Sequence, residues 1–131
     1  MDTIAAKIDT RLYRTEIESA SGNILIADEP QEIGGKNLGL NPSELLAASL
    51  ASCTIITLRM YINRKQWEVS EINIKIDFER DADRNVALFS RKIEVIGDIN
   101  EEQRQRLETI ANSCPIHKVL MHSIEIKTTL L

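Results

Sequence analysis

The sequence predicts an α+β domain in which curved antiparallel sheets surround one long buried helix. Three observations predict it. The segment from Pro42 to about Asn63 is apolar on nearly every helical face, segments on either side of it alternate with the period of β-strands, and two shorter helical segments follow. At 131 residues, the chain is expected to form a single domain, residues 1–131.

Two strands are predicted between Tyr13 and Ile26, on either side of a turn at residues 21–23. Ser, Gly and Asn at these three positions are typical of turns, and Ile24 and Ile26 then alternate along the second strand. Residues 28–40 contain one proline and three glycines, which indicates a loop. This loop leads directly into the long helix.

The long helix has a clear start signal. Asn41 can cap it, Pro42 suits its first position, and Glu44 at the third position can return a hydrogen bond to the cap. The residues that follow are apolar on nearly every face: Leu45, Leu46, Ala47, Ala48, Leu50, Ala51, Ile55, Ile56, Leu58 and Met60. A helix of this kind is buried on all sides, and a chain this small cannot cover it alone. A second subunit is therefore expected to cover the rest.

A β-hairpin and two helices are predicted after the long helix. Strands around residues 72–78 and 89–95 alternate apolar and polar side chains and are joined by a polar turn at residues 81–85. A capping box at residues 100–103 begins an amphipathic helix, and Cys114 with Pro115 begins a short helix that continues to Met121. Alternation at residues 124–128 predicts a closing strand.

The charge and the N-terminus limit the partners and the compartment. A net charge of −4 without a clustered basic face argues against nucleic acid as a partner. Residues 1–7 lack the pattern of a secretory signal, so we expect a reducing, cytoplasmic environment. The apolar stretch at residues 45–62 is long enough to span a membrane, but its serines, threonines and Arg59 favour a helix buried in protein. No membrane partner is expected.

The two cysteines, Cys53 and Cys114, are either buried small side chains or working thiols. Cys53 lies near the middle of the long helix, where a structural role is the simpler interpretation. Cys114 begins a helix three residues before His117, and backbone N–H groups with a protonated imidazole would favour a thiolate there. A capping cysteine beside a surface histidine explains the same pattern. A zinc site with His122 as a fourth ligand is a further alternative, although the paired ligand spacings of such sites are absent.

Several of these segments resemble the OsmC/Ohr family of osmotically inducible and organic-hydroperoxide-resistance proteins. The resemblance extends over nearly the whole chain in the right order, at residues 33–35, 41–48, 53–54, 57–61, 99–104 and 114–117. The Cys-Pro-x-His sequence that begins at Cys114 is similar to the OsmC-like branch in particular.

The resemblance implies an intertwined homodimer, with two long helices back to back and active sites at the subunit interface. It implies that Cys53 attacks the O–O bond of an organic hydroperoxide and becomes a sulfenic acid, and that Cys114 then condenses with it to a disulfide. An external dithiol or a lipoyl protein would restore both thiols. No metal, flavin or haem cofactor is implied.

The resemblance also implies a glutamate and an arginine that activate the reactive cysteine. The glutamate of the family lies ten residues before that cysteine, where this sequence has Ser43, and the adjacent Glu44 is the candidate here. The arginine is expected from the N-terminal strands, where Arg14 is the candidate and Arg11 the alternative. Because Ser43 replaces the glutamate, a non-catalytic OsmC-like dimer that senses redox state or binds a small ligand is the alternative function.

Overall fold

The computed structural model describes all 131 residues, and the chain divides into two compact units, residues 1–46 and 47–131. Each unit is described separately below. The expectation of a single domain stays a prediction.

The first unit contains a three-stranded antiparallel sheet in the order β1-β2-β3, formed by Ile4–Ile8, Thr15–Ser19 and Ile24–Ala27. The two strands and the turn predicted between residues 13 and 26 are therefore confirmed as β2 and β3. Gly22 in this turn has a φ of 91°, a conformation that glycine adopts without strain. The first strand was not predicted, because its residues do not alternate and all five are exposed.

The loop after β3 is organised around one buried carboxylate. Asp28 accepts hydrogen bonds from the backbone N–H groups of Tyr13, Glu29, Lys36 and Leu38, at distances of 2.8 to 3.2 Å. Burial alone would raise the pKa of this carboxyl, but the four donors hold its pKa below the usual value. The loop therefore has a backbone path fixed by a single side chain.

Helix α1 extends from Pro42 to Lys65, and its predicted capping box is confirmed. Glu44 N–H donates to Asn41 Oδ1 at 2.8 Å, and Asn41 N–H donates to Glu44 Oε1 at 2.9 Å. The buried residues of α1 follow each other at intervals of four, and they are Leu50, Thr54, Leu58 and Ile62. As expected, one chain does not cover α1 on all sides, and its buried residues form only this stripe. That a second subunit covers the rest stays a prediction.

The opposite side of α1 is open. Ile56 is 52% exposed and Met60 is 63% exposed. By length and composition alone α1 could cross a membrane, with a mean hydropathy of 1.6, and the core helix of a soluble protein meets the same criterion. Only 22% of its most apolar window is buried, so most of the helix surface is left for something other than this chain to cover.

The second unit contains the predicted hairpin, which is longer than expected at both ends. Strand β4, Glu68–Asp81, pairs antiparallel with β5, Val86–Asp98, in a register that sets Ile76 opposite Arg91. One face of the hairpin packs against Leu58 and Ile62 of α1 and against Leu107 of the next helix. Arg91 lies on this inward face, in the same alternation as its apolar neighbours Phe89 and Ile93.

Two helices follow the hairpin. Helix α2, Glu101–Ala111, begins with the predicted capping box between Asn100 and Gln103, and α3, Pro115–Leu120, begins at Cys114. The predicted strand at residues 124–128 is wrong: the segment is irregular, and Ile124 and Ile126 are 63% and 82% exposed. Alternation produces a strand only where another strand offers an edge, and none in this chain pairs with the segment.

Candidate active site

Cys114 is completely buried at the junction between α2 and α3, and its environment defines the candidate site. Its Sγ accepts a hydrogen bond from the backbone N–H of His117 at 3.3 Å. On its other side, Sγ lies 3.7 Å from Oγ1 of Thr54 on α1, a residue that is also completely buried. The thiol therefore sits between the first turn of α3 and the buried stripe of α1.

The hydroxyl of Thr54 links this thiol to a cation. Thr54 donates to the carbonyl of Leu50 at 2.6 Å and accepts from Nη1 of Arg91 at 3.0 Å. A threonine hydroxyl has a single proton, and Leu50 receives it. The Thr54 oxygen is thus free to accept from the thiol of Cys114, 3.7 Å away.

Arg91 connects four elements through its guanidinium. Beyond the bond from β5 to Thr54 of α1, Nη1 donates to the carbonyl of Ala111 at 3.1 Å, at the end of α2. Nη2 donates to Oδ1 of Asn112 at 2.8 Å and lies 2.9 Å from Nδ1 of His117 on α3. All four partners are neutral groups, and none of the ion pairs in the chain includes Arg91. A half-buried positive charge thus lies one hydroxyl group away from a thiol, without a counter-charge.

His117 is neutral in this arrangement. An arginine side chain can only donate, so Nδ1 of His117 is the acceptor and the ring proton is on Nε2. Burial lowers the pKa of His117, and the positive charge of Arg91 lowers it further. The expectation that a protonated His117 favours a thiolate at Cys114 is therefore wrong, because the cation at this site is Arg91.

Cys53 precedes Thr54 on α1 and is half-buried. Successive residues of a helix point about 100° apart, so Cys53 lies beside the buried stripe, on the side that carries Ile56 and Met60. Its sulfur makes no hydrogen bond within the chain, and both cysteines are free thiols. The structure thus places Thr54 against Cys114, and it places Cys53 next to Thr54 at the margin of the open face.

Comparison with known proteins identifies the family. The sequence profile of the family described as OsmC-like protein matches residues 34–129, which include both cysteines, Arg91 and His117. The chain belongs to the OsmC-like family. Among curated proteins, none matches the sequence significantly.

Solved structures share the OsmC-like fold. A proposed osmotic stress induced and detoxification response protein from Psychrobacter arcticus 273-4 is 23% identical, with a TM-score of 0.79 over 91% of this chain and 88% of that one. An OsmC-like protein from Mycoplasma pneumoniae is 16% identical, with a TM-score of 0.78 over 92% and 87%. The organic hydroperoxide resistance protein OhrB of Bacillus subtilis is 22% identical, with a TM-score of 0.61 over 91% and 89%. At these identities the likeness shows the fold.

The activating residues expected by analogy with OsmC/Ohr proteins lie apart from this cluster in sequence. Glu44 is exposed and engaged in the capping box of α1, nine residues before Cys53 in the sequence. Arg14 lies 3.9 Å from Glu16, and Arg11 forms an exposed pair with Asp9 at 2.8 Å. Both arginines belong to the first unit and precede the family match. Their roles and that of Glu44 stay predictions.

The ligands of the alternative zinc site are not assembled. No group of three or more His, Cys, Asp or Glu side chains is arranged to hold a metal ion. His122 has its Nδ1 2.6 Å from the carbonyl of Lys118, and His117 is engaged with Arg91.

Sequence reasoning missed Arg91, Thr54 and Asn112 as members of the site. One signal was present, because Arg91 occupies an apolar position in the alternation of β5. A charged residue on the inward face of a strand requires buried partners, and its presence there indicates a polar site.

Proposed function

We propose that this OsmC-like protein is a thiol peroxidase that reduces organic hydroperoxides through Cys53 and Cys114. One observation carries the proposal. A half-buried thiol, Cys53, lies at the margin of an open apolar face, and the next residue, Thr54, contacts a second thiol that is completely buried. An accessible thiol with a protected partner is the arrangement that a two-cysteine peroxidase requires.

The first step is attack of the Cys53 thiolate on the O–O bond. The sulfur gains one oxygen and becomes a sulfenic acid, and the alkoxide that leaves takes up a proton to become an alcohol. In the second step Cys114 attacks the sulfenic sulfur, a disulfide forms, and water leaves. An external dithiol, with a lipoyl protein as the candidate, then reduces the disulfide and is itself oxidised.

The open face of α1 supports an organic peroxide rather than hydrogen peroxide. A shallow cavity of about 380 Å³ is lined by Ile55, Ile56, Arg59, Met60 and Ile72. Ile56 and Met60 share their side of the helix with Cys53, so an apolar tail packed against these two side chains would approach that thiol. Burial of this tail is favourable in proportion to its area, and hydrogen peroxide has no such group.

We also propose that the protein acts as a homodimer in the cytoplasm. The exposed side chains of Ile56 and Met60 form a stripe that a second α1 helix can cover. Arg59 lies beside this stripe, and its guanidinium donates to the carbonyl of Val69 at 2.9 Å. A charged side chain at this position is unfavourable for a helix that faces lipid. Pairing of two copies brings a second set of Glu44 and Arg14 side chains to the assembly as activating groups.

A titration with cumene hydroperoxide tests the peroxidase proposal. Reduced protein should lose both thiols rapidly at one equivalent of peroxide, as followed by stopped-flow mixing and thiol counting. Cys53→Ser should abolish turnover, whereas Cys114→Ser should consume one equivalent and stop at the sulfenic acid. Ser52→Ala, which removes a neighbouring exposed hydroxyl, serves as the control. Turnover in Cys53→Ser would overturn the assignment.

A non-catalytic redox sensor or ligand-binding dimer is the second candidate. Two observations favour it: Ser43 stands where OsmC/Ohr peroxidases have glutamate, and Cys53 has no hydrogen-bond partner in its own chain. The second-order rate of thiol oxidation distinguishes the candidates. A rate equal to that of a free thiol at the same pH would favour the sensor.

A further inference from the structure

We propose that Arg91 is a positioning residue that makes Cys114 the leaving group when an external dithiol reduces the Cys53–Cys114 disulfide. The proposal rests on the proposed peroxidase cycle and adds which sulfur the reductant attacks and which groups receive the departing thiolate.

The charge of Arg91 is the first argument. Its guanidinium is always protonated, is half-buried, and is bonded to four neutral acceptors. A half-buried cation without an ion-pair partner stabilises an anion that forms close to it. The thiol of Cys114 is such a group, because only the hydroxyl of Thr54 separates it from Nη1.

The hydroxyl of Thr54 is the second argument, because it can serve both states of the sulfur. In the observed geometry its proton points to the carbonyl of Leu50, and the thiol of Cys114 donates to its oxygen. When Cys114 becomes a thiolate, rotation of the hydroxyl turns the same proton toward Sγ. The bond from Arg91 to Oγ1 is kept during this rotation and strengthens the O–H as a donor. The backbone N–H of His117 supplies a second donor to the same sulfur.

Access is the third argument. Within its own chain Cys114 has no exposed surface, whereas Cys53 is half-buried beside the Ile56 and Met60 stripe, at what would be the edge of the interface in the proposed dimer. A dithiol must approach in line with the S–S bond, so it reaches Cys53 and expels Cys114.

The chemistry balances as two exchanges. One thiolate of the dithiol attacks Sγ of Cys53, the S–S bond breaks, and its electron pair leaves on Cys114, which then takes a proton. The second thiol of the reductant, once deprotonated, attacks the mixed disulfide and releases Cys53 as a thiolate. The dithiol ends as a cyclic disulfide, oxidised by two electrons, and both protein thiols are restored.

The neutral state of His117 completes the arrangement. Because Nδ1 accepts from Arg91, the histidine holds the guanidinium in place without adding a second positive charge. Asn112, at the α2–α3 junction, also accepts from the guanidinium and holds it in place without adding a charge. Arg91 therefore keeps the junction that carries Cys114 fixed against Thr54, and acts on the reaction through these residues.

The test begins with full-length protein oxidised by diamide, so that disulfide formation does not depend on peroxidase activity. Excess 2-mercaptoethanol, an alkyl monothiol, is then added, the reaction is quenched at set times with excess N-ethylmaleimide to block re-closure, and the sulfur that carries the mercaptoethanol adduct is identified by peptide mass spectrometry. We expect the adduct on Cys53. Arg91→Met should slow its formation on the order of tenfold, because it removes the positive charge that strengthens the Thr54 hydroxyl as a donor to the leaving thiolate. Arg91→Lys should restore part of the rate.

Two controls separate positioning from general loss of structure. Arg104→Met removes another arginine that joins α2 to β5, through the carbonyl of Val95 at 3.2 Å, and it should leave the rate unchanged. In Cys114→Ser, a mixed disulfide of Cys53 with thionitrobenzoate has a different leaving group, so Arg91→Met should not slow its reduction there. Thr54→Val, which removes the hydroxyl and leaves Arg91 in place, should slow the wild-type exchange if Arg91→Met does not fold.

An adduct on Cys114, or an unchanged rate in both Arg91→Met and Thr54→Val, would overturn the proposal. Failure of diamide to join Cys53 to Cys114 would overturn it as well. In that case, rapid peroxide turnover that Cys53→Ser abolishes would still support peroxidase chemistry at Cys53, so the two proposals fail separately.

Discussion

Nη2 of Arg91 lies 2.9 Å from Nδ1 of His117, and this contact requires a neutral histidine beside a charged arginine. The arginine keeps its proton at every accessible pH, so the histidine accepts the hydrogen bond in its neutral form. Protonation of His117 would remove the acceptor and place two positive charges side by side. The contact therefore makes the α2–α3 junction sensitive to acid, independently of any catalytic role.

The stability of the protein should fall below neutral pH because of His117. Its pKa in the folded chain is below its ordinary value of 6.5. The unfolded chain therefore binds a proton at a higher pH than the folded chain does, and stability rises with pH across this window. The contribution of neutral His117 to the free energy of unfolding is fully present above about pH 6.5, and it is lost as the pH falls through the pKa of His117 in the folded chain. Urea unfolding of the wild type at a series of pH values measures this dependence.

Two variants isolate the histidine in this experiment. In His117→Gln the loss of stability on acidification should be smaller than in the wild type, because the titrating group is absent. His122→Gln changes an exposed histidine that is bonded to the carbonyl of Lys118, and it should keep the dependence of the wild type. Identical pH profiles for His117→Gln and the wild type would contradict the prediction.

The open stripe of α1 should be the dimer contact. A charge introduced there, as in Met60→Glu, leaves the folded chain intact but becomes costly when a second helix covers it. We expect a shift from dimer to monomer in sedimentation velocity. Leu88→Glu adds the same charge at a side chain that is 46% exposed on β5, and it should stay dimeric. A monomeric wild type would contradict the homodimer proposal.

Most of the fold could be predicted because its signals are local. The capping boxes at Asn41 and Asn100 fixed the starts of α1 and α2, and period-two alternation located the hairpin. The predicted strand at residues 124–128 failed for a non-local reason, since a strand requires an edge that alternation cannot reveal. The open side of α1 could not be predicted for the same non-local reason. The sequence indicates that this side is apolar, but whether it is buried depends on what lies against it.

The candidate site was only partly predictable. The cysteines are conspicuous by residue type, and Cys114 was correctly expected to begin a helix. The cluster around it depends on β5, α1 and the α2–α3 junction meeting at one point. No sequence spacing reports that Arg91 reaches Thr54 and His117, which lie 37 and 26 residues away. The family resemblance directed attention to Glu44 and Arg14 instead.

Leu58 should be among the side chains on which stability depends most. It has no exposed surface and packs in the core with Ile62, Leu107 and Ala111. Leu58→Ala should lower the free energy of unfolding by about 2–5 kcal/mol, because it removes buried methyl groups and leaves a cavity. Leu88→Ala, at a partly exposed leucine, should change it by less than about 1 kcal/mol. Equal effects of the two changes in urea unfolding would contradict this assignment of the core.

Asp28 should be essential to the loop that precedes α1. Its carboxylate accepts from four backbone N–H groups, and Gly35 approaches so closely that an added Cβ would meet the carbonyl of Glu29. Oδ1 accepts from Tyr13 and Glu29, and Oδ2 accepts from Lys36 and Leu38. Asp28→Asn turns one of these oxygens into a donor that faces two N–H groups, so both groups of that pair lose their partner. The melting temperature should fall by several degrees.

Asp9→Asn is the control. It changes an exposed pair with Arg11 and should leave the melting temperature nearly unchanged. Hydrogen exchange adds a local measurement, because one pair of amides, Tyr13 with Glu29 or Lys36 with Leu38, should lose protection in Asp28→Asn, and both pairs should keep it in Asp9→Asn. Unchanged protection of all four amides in Asp28→Asn would show that the loop does not depend on this carboxylate.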